Sequence, residues 1–136
     1  MFKSRQPKRN RAYQVKKTGI KDENIDRQIR VIHHAIALKL LKDNKATGEL
    51  IAKVKAQLEL RRDEGRMGYG EYITWTSALI IIDDEQAFVD AICDDSSRMR
   101  KLRRKTPFVG ILTETERQQA LDADSLGTLS DLSTLY

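Results

Sequence analysis

Two segments of the chain contain several basic side chains and no acidic one, which suits them to contact with an anionic partner. Block one, residues 1–21, holds eight Lys or Arg residues, and block two, residues 98–105, holds six. The net charge of only +5 conceals both blocks, because the remaining residues are acidic on balance. The candidate binding residues are Lys3, Arg5, Lys8, Arg9, Arg11, Lys16 and Lys17 in block one, and Arg98, Arg100, Lys101, Arg103, Arg104 and Lys105 in block two.

These cations predict binding to a phosphate backbone. Lys and Arg release condensed counterions when they bind closely spaced phosphates, and arginine also makes bidentate phosphate contacts and stacks on unpaired bases. Block one adds Tyr13 as an aromatic ring, with Gln6, Asn10 and Gln14 as hydrogen-bonding groups. An arginine-rich helix with a flexible arm is similar in style to the extensions by which small proteins thread structured RNA. We therefore predict a non-enzymatic RNA-binding protein, with ribosomal or another structured RNA as its partner.

Other interpretations of the same residues stay open. The blocks could form a solvated surface, or dock on an acidic partner protein or on this chain's own residues 22–97, which hold fifteen acidic and ten basic residues. The rival function is a protein–protein adaptor or regulatory module that uses this acidic body and the apolar segment 108–112. A homodimer through the aliphatic residues 79–82 is a further alternative. A helix-turn-helix for DNA is disfavoured, because the glycine-rich loop 65–70 is longer than the usual turn.

The residue types that enzymes and metal sites use do not come together in this sequence. Cys93 is the single cysteine, so neither an intrachain disulfide nor a cysteine-based zinc cluster can form. His33 and His34 are adjacent and would point about 100° apart on a helix, which prevents them from chelating one metal ion. The segment 65–70 lacks the Gly-Lys-Ser/Thr ending of a phosphate-binding loop. We therefore expect no enzymatic activity, no cofactor and no metal.

Length and composition limit the class of protein. A chain of 136 residues has room for one domain. No stretch approaches the roughly 20 apolar residues of a membrane span, and the N-terminus lacks the apolar core of a signal peptide. We therefore predict a cytoplasmic protein without a membrane partner. Cys93 is expected on a buried helical face, His33 at the edge of the apolar stripe, and His34 exposed to solvent.

Apolar side chains at helical spacing predict the elements that position these residues. In the first helix they follow at steps of three or four: Ile25, Ile29, Ile32, Ile36 and Leu40. Gly65 is expected to end the second helix in a left-handed conformation, and Thr113 with Glu116 forms the capping-box pattern that opens the last one. The predicted helices span residues 22–44, 47–64, 71–82, 84–93, 96–105 and 114–123.

The predicted fold is all-α, a small irregular or orthogonal bundle of four to six helices with a disordered basic N-terminal arm. The arm covers residues 1–21. The single helical domain covers residues 22–123 and includes the arginine-rich helix 96–105. Residues 124–136 are expected to form a frayed C-terminal tail.

The arginine-rich helix has few apolar residues with which to dock. Met99 and Leu102 are its only apolar contacts, so we expect one narrow edge to pack while its cations face solvent. Pro107 disfavours helix just before it, and the segment 108–112 is expected to pack back onto the core. Trp75 is expected to be the main aromatic residue of that core.

Overall fold

The computed structural model describes residues 22–125, and of the residues outside this range it gives only the bounds of the first and last helices. The described residues lie in six α-helices and their connections, with no β-strand among them. The helices are α1 (Arg5–Leu40), α2 (Lys45–Asp63), α3 (Tyr69–Ile80), α4 (Glu85–Ile92), α5 (Ser97–Arg103) and α6 (Glu114–Leu135). A 3-10 turn, Ile81–Asp83, joins α3 to α4. The predicted all-α bundle of four to six helices is confirmed.

The predictions for the two ends of the chain fall outside the described residues. They are the disordered arm over residues 1–21 and the frayed tail over residues 124–136, of which Asp124 and Ser125 alone are described. Both stay predictions, as does the boundary of the domain at residue 123.

Polar side chains fix where three of the helices begin. Asp84 accepts a hydrogen bond from a backbone N–H in the first turn of α4 at 3.1 Å, and Ser96 accepts one in α5 at 3.2 Å. At the start of α6, Thr113 Oγ1 accepts from the Glu116 N–H at 3.1 Å, and Glu116 Oε1 accepts from the Thr113 N–H at 2.9 Å. This reciprocal pair is the predicted capping box.

The junction between α1 and α2 differs from the prediction. α1 ends at Leu40, and Asn44 accepts a hydrogen bond from the Thr47 N–H at 2.8 Å as the N-cap of α2. A helix over residues 22–44 is therefore wrong at its C-terminal end, because the short Asn side chain caps the next helix. The end of α2 is as predicted, since Gly65 has a φ of 73°, a conformation that few residues other than glycine adopt.

The core of the bundle is built around Trp75, which has no solvent exposure. Its ring meets the ring of Phe108 edge to face, with centroids 5.4 Å apart and an interplanar angle of 80°. Phe88 and Ile92 of α4 are also fully buried, as is Leu58 of α2. The predicted role of Trp75 is confirmed, and Phe108 shows that the segment after α5 packs back onto the core.

His33 lies inside this core, so the prediction that it stands at the edge of the apolar stripe is wrong. It is 2% exposed. Its Nδ1–H donates to the carbonyl oxygen of Ile29 at 2.8 Å, and its Nε2 accepts from the Thr106 hydroxyl at 2.8 Å. A neutral ring with the proton on Nδ1 satisfies both partners, because a carbonyl can only accept. Burial lowers the pKa of His33 to about 4. His34 is exposed, as predicted.

α6 runs antiparallel to α1, because Lys39 contacts Glu116 while the earlier residue Arg27 contacts the later residue Asp124. Lys39 Nζ donates to Glu116 Oε1 at 2.7 Å and to the Ile111 carbonyl at 2.8 Å. The hydrogen bond from Lys39, with that from the N–H of Thr113, lowers the pKa of Glu116 to about 2. The pairing of α1 and α6 leaves another side of α1 for α5.

Candidate nucleic-acid interface

α5 holds most of block two, and its position decides which cations reach solvent. Ser96 caps the helix, and Met99 and Leu102 are buried, so the narrow docking edge is confirmed. Arg103 lies on the same edge, since residues three and four apart share a face of a helix. It is 1% exposed, so the expectation that every cation of this helix faces solvent is wrong for Arg103.

The guanidinium of Arg103 holds the end of α4. Its Nη1 donates to the carbonyl oxygens of Ile92 at 3.1 Å and Asp94 at 2.6 Å. The last carbonyls of a helix have no partner within the helix, so a buried cation there supplies what α4 lacks. Burial lowers the pKa of Arg103. Its place inside the fold keeps this residue from contacting a partner molecule.

Arg100 and Arg104 face carboxylates on the side of α5 nearest to α1. Arg100 makes a bidentate pair with Asp95, with Nε to Oδ1 at 2.9 Å and Nη2 to Oδ2 at 3.0 Å. This pair lowers the pKa of Asp95 and raises that of Arg100. Arg104 Nε donates to Asp26 Oδ1 of α1 at 2.8 Å, and its Nη2 donates to the Asp22 carbonyl at 3.3 Å. These contacts match the interpretation in which block two docks on the acidic body.

The other side of α5 faces α3 and leaves its cations open. Arg98 Nη2 donates to the Gly70 carbonyl at 3.3 Å, and neither Arg98 nor Lys101 pairs with a carboxylate among residues 22–125. Lys105 follows α5 and lies 3.6 Å from Glu71 Oε1 with its side chain 65% exposed. Arg98 and Lys101 stand one helical turn apart on the same face. Block two thus has two exposed cations without a carboxylate partner among the described residues, and Lys105 as a third whose contact with Glu71 is long.

An aromatic residue adjoins these cations. Tyr69 begins α3 and is 75% exposed. The two residues that follow it, Gly70 and Glu71, are those that Arg98 and Lys105 contact. We name the surface formed by Tyr69, Arg98, Lys101 and Lys105 the α3–α5 surface. Tyr69 was not among the residues predicted from the sequence, although its position between Gly68 and Gly70 was a signal of exposure.

The residues of block one cannot be placed relative to α5. The candidate residues Lys3, Arg5, Lys8, Arg9, Arg11, Lys16 and Lys17 lie outside the described residues. The first residue described after block one is Asp22, whose backbone carbonyl accepts a hydrogen bond from Arg104 at 3.3 Å. The part that block one plays in binding therefore stays a prediction from the sequence.

The apolar segment 108–112, on which the adaptor interpretation depends, is mostly inside the core. Phe108 is 2% exposed and Ile111 is 1% exposed, which leaves Val109 at 64%. In the surface suggested for a homodimer, Leu79 is buried while Ile80 is 78% exposed. The segment 108–112 therefore exposes one large apolar side chain, whereas the second segment exposes both Ile80 and Ile81, the latter at 39%.

A groove of about 990 Å³ lies between α1, α6 and the start of α5. Carboxylates and arginines alternate around it, so it presents no field of one sign to a ligand. The charged groups that line it are Glu23, Asp26, Arg27, Arg30, Asp95, Arg100 and Asp124. Cys93 is among the lining residues as a buried free thiol, and burial raises its pKa, which favours the thiol over the thiolate.

No cluster of His, Cys, Asp and Glu side chains within residues 22–125 has the geometry of a metal site. In the same part of the chain, no helix is long and apolar enough to cross a membrane. The chain matches no protein-family model, and comparison with curated proteins and with solved structures gave no significant match.

Proposed function

We propose that this protein is a non-enzymatic, cytoplasmic RNA-binding protein that associates with ribosomal or another structured RNA through block one and the α3–α5 surface. The observation on which the proposal depends is the distribution of basic residues. Block one has eight cations and no acid. Arg98 and Lys101 of block two are exposed without a carboxylate partner among the described residues. Cations without an internal counter-ion gain most from a phosphate backbone.

The contacts that α5 makes within the protein reduce the number of block-two residues that we expect to bind RNA. Arg98 and Lys101 are the residues of block two that we expect to contact phosphate directly. Lys105 joins them only by giving up its 3.6 Å contact with Glu71, which its 65% exposed side chain allows. Arg100 and Arg104 would first have to leave their carboxylates, so their contribution is smaller. Arg103 supports the site only by holding α5 against α4.

A salt titration of RNA binding tests the proposal. With about six phosphate contacts on single-stranded RNA, the logarithm of the affinity should fall with the logarithm of salt concentration at a slope near −4. The triple variant Lys8→Gln, Arg9→Gln, Arg11→Gln should bind more weakly and with a shallower slope, because it removes three of the cations. A flat response, or no binding at low salt, would overturn the proposal.

A matched control separates local contacts from net charge. Lys42 lies between α1 and α2, Lys45 is the first residue of α2, and both are exposed cations. The variant Lys42→Gln, Lys45→Gln loses the same charge as Arg98→Gln, Lys101→Gln. We expect RNA affinity to fall in the second variant and to stay within about twofold of wild type in the control, since distant charges are screened at physiological salt.

A further inference from the structure

We propose that Tyr69 stacks on an unpaired base, so that the RNA bound at the α3–α5 surface is single-stranded there. The inference rests on the RNA-binding function proposed above and names the class of RNA that this surface takes. Proteins that bind single strands combine aromatic rings, on which bases stack, with cations that follow the backbone. The α3–α5 surface holds both kinds of residue.

The ring of Tyr69 is open to a ligand. It is 75% exposed, more than any other aromatic residue among the described ones. Neither a ring contact nor a hydrogen bond engages its side chain within residues 22–125. Tyr72, one turn later, differs in both respects, since it is half-buried and its hydroxyl accepts from Arg62 at 2.9 Å.

The backbone around Tyr69 leaves room for a flat group. Gly68 and Gly70 flank it, and a Cβ added at Gly68 would meet no atom within 4 Å. A Cβ added at Gly70 would meet only the guanidinium of Arg98, at 3.7 Å. Neither chain neighbour of Tyr69 therefore has a side chain that could cover its ring.

Cations lie where the phosphates of a stacked nucleotide would pass. Arg98 binds the carbonyl of Gly70, and Lys105 lies beside Glu71, so both are anchored within two residues of Tyr69. Lys101 stands one turn of α5 from Arg98. A stacked base and its flanking phosphates can thus meet the ring and the cations together. A duplex keeps its bases stacked on one another and offers the ring nothing.

The exposed face of α3 that bears Tyr69 could instead bury apolar area, and this alternative predicts a different result for substitutions there. Ile73 and Ile80 are 40% and 78% exposed and share the side of α3 on which Tyr69 lies. If this face served to bury apolar area against a second copy of the chain, Ile73 would matter as much as Tyr69. The comparison of the two residues therefore tests stacking directly.

The experiment measures the affinity of the full chain for a single-stranded oligoadenylate and for its duplex with oligouridylate. Tyr69→Ala should weaken binding to the single strand by about 5-fold to 100-fold, the effect of losing one stacked base. Tyr69→Phe should retain the affinity, because it keeps the ring. Binding to the duplex and the salt slope should not change, because no phosphate contact is lost. Ile73→Ala is the matched control and should bind as wild type does.

Three other outcomes would overturn either the stacking of Tyr69 or RNA binding itself. Unchanged single-strand affinity in Tyr69→Ala, with a normal salt slope in wild type, overturns the stacking proposal and leaves RNA binding in place. Equal losses in Tyr69→Ala and Ile73→Ala also overturn it, since apolar area would then be the cause. Absence of binding by wild type at low salt overturns the proposed function itself. Tyr69 lies on the surface, so its variants should keep the helical content of wild type.

Discussion

The two sides of α5 bear similar residues in different surroundings. On the side facing α1, Arg104 donates to Asp26 and Arg100 pairs with Asp95. On the side facing α3, Arg98 and Lys101 have no such carboxylate among the described residues. The first side is held by the protein's own acids, and the second remains available to an external anion. A count of cations in a segment therefore overstates its binding surface wherever the fold supplies counter-ions.

Substitution of Arg103 should have the largest effect of the changes in α5. This residue belongs to neither of the two exposed sides, because its side chain is buried against the end of α4. Arg103→Met should lower the free energy of unfolding by about 3 to 5 kcal/mol, since the buried carbonyl of Ile92 and the part-buried carbonyl of Asp94 lose a charged donor. Chemical denaturation measures the effect. Lys101→Met, on the exposed side of the same helix, is the control and should change stability by less than about 0.5 kcal/mol. Equal stability of the two variants would contradict the structural role of Arg103.

The pH dependence of stability tests the core beneath α5. His33 has a pKa of about 4 in the folded protein and about 6.5 when unfolded. The unfolded chain therefore takes up a proton first, and stability should fall as the pH drops from about 6.5 to 4, by about 3 kcal/mol. Denaturation at several pH values measures this loss. Glu116, whose pKa is lowered to about 2, adds a separate loss that begins only below about pH 4.5.

A variant of the neighbouring histidine tests whether the loss of stability comes from His33. His34→Gln should keep the loss between pH 6.5 and 4.5, because His34 is exposed. A wild-type stability that is flat over this range would contradict the buried neutral state of His33 and its bond to Thr106.

Substitutions on the side of α5 that faces α3 should change the affinity for RNA and leave the free energy of unfolding unchanged. Arg98→Gln, Lys101→Gln should weaken binding about tenfold near physiological salt and make the salt slope shallower by about 1.4, since two phosphate contacts are lost. Filter binding at several salt concentrations measures both quantities. An unchanged slope would show that these two residues do not contact the RNA.

Substitutions on the side of α5 that faces α1 should have the smallest effect on RNA affinity. Arg100→Gln, Arg104→Gln should change RNA affinity by less than about twofold, because these guanidiniums already face carboxylates. Its loss of stability should be small, since exposed ion pairs contribute little. A larger loss of affinity here than in Arg98→Gln, Lys101→Gln would reverse the assignment of the two sides.

The local signals of the sequence predicted where several helices begin. Asp84, Ser96 and Thr113 cap the helices that they precede, because a cap depends on residues only three positions apart. Asn44 was misassigned because it can follow one helix or begin the next, and the sequence alone does not decide between them.

The contacts that position the candidate site are not local, and the sequence did not predict them. His33 meets Thr106, which is 73 residues away, and Arg103 meets the end of α4, so their burial depends on how the helices pack. A signal existed for Arg103, since it shares a helical face with Met99. That signal shows which side is covered, but it does not show that unpaired carbonyls lie there to receive a cation.

Sedimentation of the native protein from lysate, with and without ribonuclease, tests RNA association most directly. We predict that the protein sediments with large particles at low salt and shifts to the position of the free chain after ribonuclease treatment. The Arg98→Gln, Lys101→Gln variant should sediment less with these particles than the Lys42→Gln, Lys45→Gln control. Sedimentation that survives both ribonuclease and high salt would contradict RNA binding and favour a protein–protein adaptor.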